Sequence, residues 1–68
     1  MTNTLLLEDR IKQSGYKKSF IASKVGISAY ALSLKVNNKK EFKASEINGL
    51  CEILGINTKD RMAIFFAQ

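Results

Sequence analysis

The sequence predicts an all-α domain of five short helices, and three observations support that fold class. Apolar residues recur three and four positions apart along most of the chain, as on a helix with one buried face. Glycine follows several of these stretches, where helices commonly end. Proline is absent, and no alternating strand pattern, repeat or low-complexity tract is evident. With 68 residues, the chain is expected to form one compact domain, residues 1–68.

The first two predicted helices are each closed by a glycine. The first spans about Thr4–Ser14, with Thr4 available as N-cap and Gly15 as its stop. The second spans about Lys18–Val25 and ends at Gly26. The expected buried residues are Leu7, Ile11 and either Leu5 or Leu6 in the first helix, and Ala22, Val25 and either Phe20 or Ile21 in the second.

A tight turn, Gly26-Ile27-Ser28, joins the second helix to a third predicted over about Ala29–Val36. Ala22, Gly26 and Leu32 have the spacing of a helix-turn-helix (HTH). A small residue lets the two helices approach, the glycine turns the chain without a Cβ penalty, and the leucine anchors the second helix of the pair. This element predicts an interaction with duplex DNA.

The ends of the third helix also follow from residue type. Ser28 is a favourable N-cap, because its hydroxyl can accept a free amide hydrogen bond of the first turn. Residues 37–41 are polar, and asparagine can adopt the left-handed conformation that such a helix end often needs. Phe42 is expected to pack this loop onto the core.

A fourth helix is predicted over about Ala44–Leu54, ending at Gly55. A last short helix is predicted from about Lys59, capped by Asn57 or Thr58. The apolar face of the fourth helix is expected to contain Ile47, Leu50, Cys51 and Leu54. In this reading Cys51 is a small buried hydrophobe, since no neighbour in the sequence would lower the pKa of its thiol.

The composition argues against several classes of function. Histidine is absent and there is a single cysteine, so a metal site or an internal disulfide is not expected. The six acidic residues are scattered without a catalytic pair, which predicts a non-enzyme with no cofactor and no small-molecule ligand. No apolar run is long enough to span a bilayer, and the N-terminal charges do not fit a signal peptide, so a cytoplasmic location is expected.

Positive charge is concentrated in the first two thirds of the chain. The net charge is +5, and residues 1–43 carry nine of the eleven Lys and Arg residues but only three of the six acidic ones. Such a distribution suits a polyanionic partner, because each neutralised phosphate releases condensed counterions. A solvated, solubilising surface explains the charge equally well.

A set of small, apolar and polar residues along the chain is fairly specific when its order and spacing are taken together. These residues are Gly15, Ala22, Gly26-Ile27-Ser28, Leu32, Asn37, Leu50 and Leu54-Gly55-Ile56. With them the chain resembles the lambda-repressor-like, Cro-type HTH domains of the xenobiotic-response-element class. The resemblance implies a five-helix domain, with helices 2 and 3 as the HTH, that binds operator DNA, usually as a symmetric dimer.

A narrower set of residues is similar to short repressors of phages and prophages in Gram-positive bacteria. The set comprises residues 35–39, Phe42, Ser45-Glu46-Ile47 and Ile64-Phe65-Phe66. Two positions depart from the family pattern. Lys35 stands where a branched apolar residue is common, so either Val36 takes over the anchoring or Lys35 snorkels along the core edge. Asn38 replaces a frequent glycine, a mild change because asparagine also accepts positive φ.

Geometry then assigns roles on a third helix that enters the major groove. The base-reading residues are expected to be Ala29, Tyr30, Ser33 and Leu34. Tyr30 could instead pack on the surface, and Leu34 could be buried against Phe42 or a partner. This set contains no arginine, asparagine or glutamine, the residues that contact a base through two hydrogen bonds.

Phosphate contacts are expected from the rim of this surface. The candidates are Lys17, Lys18, Asn37, Lys39 and Lys40, with Lys35 and Lys43 as weaker ones. A C2 dimer interface is predicted at Met62, Ile64, Phe65 and Phe66, although the same residues could cap the domain's own core.

The sequence therefore predicts a sequence-specific, dimeric regulator that binds duplex DNA, most simply a Cro-like repressor that occupies a palindromic operator. One alternative is an HTH protein-interaction module, similar to an antirepressor or an antitoxin. Another is a basic protein that binds any duplex without regard to sequence.

Overall fold

The computed structural model describes residues 1–67, and these contain five α-helices and no strand. The predicted all-α fold class is confirmed. The predicted helix bounds also agree with the structure, except that the last helix begins one residue earlier than expected. The helices are α1 (Thr4–Ser14), α2 (Lys18–Val25), α3 (Ala29–Val36), α4 (Ala44–Leu54) and α5 (Thr58–Phe65).

Side-chain caps begin three of the helices. Ser28 accepts a hydrogen bond from the amide of Ala31 at 3.0 Å, as predicted for the start of α3. Asn57 caps α5. The prediction that Thr4 caps α1 is wrong, because Asn3 fills that role with a bond from the Leu6 amide.

The hydroxyl of Thr4 has a different partner, the carbonyl of Val36 at 2.6 Å. This bond ties the first turn of α1 to the last turn of α3. Helix α1 packs against α4 and α5 as well as against α3. It therefore connects α3 to the other two helices. None of the described helices has the length and apolar character of a membrane span.

All five helices contribute to one core. Five large side chains in it are completely buried: Leu7, Ile21, Leu32, Leu50 and Val36. The remaining members are Ile11, Ala22, Ile47, Ile56, Ile64 and Phe65. Phe42, Ile27, Val25, Cys51 and Leu54 pack against this core in partly buried positions.

One prediction of buried residues is wrong, and one pair of alternatives is resolved. Leu5 and Leu6 do not complete the stripe of α1, since 82% and 43% of their surfaces are exposed. The buried face of α1 is narrow because Leu7 and Ile11, four residues apart, already fill it. Of the two alternatives in α2, Ile21 is buried and Phe20 is exposed; the centroid of the Phe20 ring lies 5.0 Å from that of Tyr16, with the rings tilted by 42°.

The N-terminal residues connect the exit of α3 to the end of α5. Asn38 has φ of 62°, so it accepts the left-handed conformation as expected. Its side chain bonds both backbone groups of Thr2, at 2.9 and 2.8 Å. The amide of Asn3 bonds the carbonyl of Ile64, and the amide of Ala67 bonds that of Met1. These bonds hold the exit of α3 to the N-terminal residues, and hold those residues to the end of α5.

Candidate nucleic-acid interface

The turn between α2 and α3 has the geometry that its sequence predicts. Gly26 has φ of 90°, and its amide bonds the carbonyls of Ala22 and Ser23 at 2.9 and 3.2 Å. The amide of Ile27 also bonds Ala22, at 2.9 Å. These bonds close α2 and redirect the chain, while the Ser28 cap starts α3 two residues later. The two helices therefore form a compact HTH.

Helix α3 has one buried side and one open side. Leu32 and Val36 have no exposed surface, so both anchor the helix in the core. Ala29, Tyr30 and Ser33 are exposed, and Tyr30 keeps 74% of its surface accessible. Around the helix axis Ser33 lies between Ala29 and Tyr30, so the three share one arc of about 100° that borders the buried side. The structure thus groups three of the four predicted base-reading residues on an accessible surface.

The fourth predicted base-reading residue, Leu34, is only half-buried and lies at the edge of this arc. Its carbonyl accepts the amides of Lys39 and Lys40 at 2.8 and 3.4 Å. These bonds fold the loop that follows α3 back against the end of the helix. Leu34 therefore marks the border between the open face of α3 and the lysines of the loop.

The predicted phosphate-binding residues, apart from Lys35, are all exposed and belong to two segments. Lys17 and Lys18 stand at the start of α2, and Asn37, Lys39 and Lys40 follow α3. Within residues 1–67, no carboxylate lies within 4.0 Å of the ammonium groups of Lys17, Lys39 or Lys40.

Two of these candidates already have a partner in the protein. Lys18 pairs with Glu8 at 3.0 Å on an exposed surface. Such pairs contribute about 0–1 kcal/mol, so a phosphate group can replace the glutamate. The side-chain amide of Asn37 donates to the carbonyl of Ser33 at 2.9 Å. This bond holds Asn37 against the last turn of α3.

Lys35 differs from the other predicted phosphate-binding residues because it is buried and paired. Only 8% of its surface is exposed, and its Nζ lies 2.6 and 2.8 Å from the two carboxylate oxygens of Glu46. Position 35 faces the first turn of α4, where the carboxylate satisfies the buried ammonium group. Of the two alternatives for the end of α3, Val36 takes over the apolar anchoring, and Lys35 forms an ion pair.

Sequence reasoning gave Glu46 no role beyond the family resemblance. Burial raises the pKa of its carboxyl group, but the hydrogen bonds from Lys35 and Lys43 and the charges of both lysines outweigh burial. The pKa is therefore below its ordinary value, and the carboxylate is ionised at neutral pH. Two features of the sequence could have indicated this pair: a charged residue at a position of α3 that is commonly apolar, and an acid in the first turn of the next helix.

Only two of the four residues predicted at a dimer interface are accessible. Ile64 and Phe65 are 2% and 4% exposed, and the Phe65 ring contacts Phe42 edge-on at 5.6 Å. These two residues belong to the core because such a small domain needs most of its apolar side chains there. Met62 and Phe66 keep 57% and 49% of their surfaces exposed. They remain the candidates for contact with a second copy.

Cys51 is the one thiol among the described residues. Burial raises the pKa of the half-buried Cys51 thiol, although the charges of Arg61 and Arg10 act in the opposite direction. A protonated thiol is a poor nucleophile. Among residues 1–67, no three His, Cys, Asp or Glu side chains are grouped so that they could hold a metal ion.

Comparison with known proteins identifies the class of this interface. No curated protein and no solved structure matches the chain. The family model of the Cro/C1-type HTH DNA-binding domain matches residues 7–63, which include the complete HTH and most of the supporting core. The chain therefore belongs to the Cro/C1-type HTH DNA-binding domain family.

Proposed function

We propose that this protein is a sequence-specific transcriptional regulator of the Cro-like repressor kind known from phages and prophages. It acts by occupying operator DNA with α3 in the major groove. The observation that carries the proposal is the open arc of α3, Ala29, Tyr30 and Ser33, together with exposed lysines at the start of α2 and in the segment after α3. It works as a single domain in the cytoplasm at the nucleoid, with no catalytic role, cofactor or small-molecule ligand.

The arc offers a small but usable set of base contacts. The Tyr30 ring can contact a thymine methyl group while its hydroxyl forms one hydrogen bond, and Ser33 can donate or accept one. Ala29 lets the helix backbone approach the base edges closely. Because no residue here makes two hydrogen bonds to one base, DNA shape and operator spacing contribute a large share of the selectivity.

The lysines position the protein rather than read the sequence. Lys17 and Lys18 lie at the N-terminus of α2, where free amides also favour an anion. Lys39 and Lys40 lie beyond the C-terminal end of α3. Contacts at both places would hold α3 in the groove from two sides.

Dimerisation through the exposed apolar residues near the C-terminus completes the proposal. Met62, Phe66 and Met1 are all at least 49% exposed. Met1 and Phe66 border a cavity of about 250 Å³ that Phe42 and Phe65 also line. In a C2 dimer this surface would be buried, and the two α3 helices would read half-sites one DNA turn apart, ~34 Å, in a palindromic operator.

Selection from random duplex DNA tests the proposal. We expect one palindromic sequence to be enriched, and Tyr30→Ala to lower affinity for it while affinity for unrelated DNA is unchanged. Lys59→Ala, an exposed lysine at the start of α5, is the matched control and should behave as wild type. Failure to bind any duplex at low salt would contradict the proposal, and binding without sequence preference would favour a non-specific DNA-binding protein.

A protein-interaction module of the antirepressor or antitoxin type is the second candidate. It is favoured by the exposed Tyr30 ring and by the lack of Arg, Asn or Gln on the open arc of α3. In that case, Tyr30→Ala together with Ser33→Ala should abolish a protein complex and leave DNA binding unchanged.

A further inference from the structure

One carboxylate joins the two ends of the segment that follows α3. Oε1 of Glu46 accepts hydrogen bonds from Lys35 Nζ at 2.6 Å and from the backbone amide of Lys43 at 2.8 Å. Oε2 accepts a second bond from Lys35 Nζ at 2.8 Å. Lys35 lies in the last turn of α3, and Lys43 is the residue immediately before α4. The intervening residues carry the exposed Lys39 and Lys40.

Stability alone is a weak reason for this ion pair. Lys35 and Glu46 are 8% and 6% exposed, so both charges lose most of their hydration on folding. Replacing a buried ion pair with apolar residues of similar volume is often neutral or stabilising. The neighbouring Val36 already anchors α3 in the core without any polar group.

An ion pair of this geometry differs from an apolar contact in its directionality. Hydrogen bonds require defined distances and angles, whereas apolar burial is non-directional. Two bonds from one ammonium group to both carboxylate oxygens restrict how α3 can rotate or slide relative to α4. The bond to the Lys43 amide fixes the other end of the loop against the same carboxylate.

The two parts of the proposed DNA surface are thereby both held by the carboxylate of Glu46. The base-reading arc lies on α3, and the phosphate-contacting lysines lie on the loop between Lys35 and Lys43. A phosphate contact aligns a base contact only if the distance between them is fixed. Binding sites generally need their groups held to within about 0.5 Å of the productive geometry.

We propose that Lys35 and Glu46 are positioning residues that fix α3 relative to the loop of residues 37–43 and so determine selectivity for the operator over unrelated DNA. The inference rests on the proposed function. Neither residue touches DNA. Their effect is on the geometry of Tyr30 and Ser33 relative to Lys39 and Lys40.

The test replaces the ion pair with apolar residues. In the Lys35→Met/Glu46→Leu double variant we expect unfolding at the same or a higher temperature than in wild type. Its ratio of affinities for the selected operator and for a scrambled duplex should fall about tenfold, the loss of roughly one good base contact. Its affinity for the scrambled duplex should stay unchanged. An unchanged ratio in the folded variant would overturn the inference.

A second pair of variants covers the case in which the double variant does not fold. Glu46→Gln keeps an acceptor for the Lys43 amide but removes the charge opposite Lys35, and it should lower the same ratio. Asp60→Asn is the matched control, because it removes the charge from the Arg10–Asp60 pair, whose atoms lie 3.1 Å apart between α1 and α5. It should leave the ratio as in wild type. Equal effects of the two variants would overturn the inference.

An independent measurement is made without DNA. Residual dipolar couplings of the free protein report the angle between α3 and α4. We expect this angle to change, or to be averaged by motion, in Glu46→Gln. In Asp60→Asn it should be the same as in wild type. An unchanged angle would overturn the inference. A wild-type protein without preference for any duplex would instead contradict the proposed function, which separates the two failures.

Discussion

Lys35 illustrates how the partner of a side chain decides its role. A lysine near the end of a DNA-reading helix suggests a phosphate contact, but its ammonium group is buried against Glu46. The single variant Lys35→Met would leave that carboxylate without its cation. We expect the free energy of unfolding to fall by about 3 kcal/mol, the usual effect of breaking a buried pair.

Urea unfolding measures this change, with Lys59→Met as the control at an exposed position. Where Lys35→Met is still folded, the salt dependence of DNA binding should equal that of wild type. A shallower salt dependence in this variant would contradict the assignment, because it would mean that Lys35 contacts a phosphate.

The carboxyl group of Glu46 should make stability depend on pH. Lys35, in α3, and Lys43, before α4, face it and hold its pKa below the ordinary value. A lowered pKa contributes stability above the pKa of the unfolded chain, and this contribution is lost as the pH falls through the folded value. We expect wild type to lose more stability than Glu46→Gln below about pH 4.5. Urea unfolding at several pH values tests this, and parallel losses would contradict it.

Lys39 should show the opposite behaviour to Lys35. It is exposed, and no carboxylate within residues 1–67 pairs with it. Lys39→Ala should weaken binding to operator and unrelated duplexes equally and lower the slope of log affinity against log salt by about one unit. Titrations at several salt concentrations measure the slope, and Lys59→Ala should leave it unchanged.

At the scale of elements, the turn between α2 and α3 depends on glycine. Gly26 has φ of 90°, and a Cβ built there meets no atom within 4 Å, so only the backbone conformation opposes a side chain. Gly26→Ala should destabilise the protein by about 1–2 kcal/mol. Gly49→Ala is the matched control, because Gly49 lies within α4 and its Cβ would meet a methyl group of Val25, in α2, at 3.5 Å, an ordinary van der Waals contact. It should stabilise by about 0.5–1 kcal/mol. Thermal unfolding compares the two, and equal effects would contradict this account of the turn.

Helix positions followed from the sequence because their signals are local. Gly26 and Ser28 act within a few residues of themselves, and the periodicity of Leu32 and Val36 depends only on their own helix. The capping of α1 was misread because the alternative partner of Thr4 is the carbonyl of Val36, which is distant in sequence. The Lys35–Glu46 pair was missed for the same reason, since it depends on how α3 meets α4.

At the scale of the whole molecule, the small core explains why two of the four residues predicted at a dimer interface are buried. Four large apolar residues near the C-terminus were too many for one helix face, but the structure uses Ile64 and Phe65 to complete the core. The open arc of α3 could be predicted because Leu32 fixes which side of that helix is buried. Which apolar side chains remain exposed depends on how many the whole core needs, so such a surface cannot be predicted from one helix alone.

The proposed dimer depends on the residues that remain exposed. Phe66→Glu would place a charge in the interface, so we expect sedimentation equilibrium to show a weaker association than in wild type. The variant should also bind a single half-site with the same affinity as the wild-type monomer. A wild-type protein that stays monomeric, alone and on the operator, would contradict the dimer.

The most direct test of the central claim is to map the contact surface on the selected duplex by NMR. Amide shifts of the uniformly ¹⁵N-labelled protein should change most at Ala29, Tyr30 and Ser33 and in the loop that carries Lys39 and Lys40. The first turn of α5 should change little. Perturbations centred on another face, or an absence of perturbations on α3 at saturating duplex, would contradict the claim that this helix reads DNA.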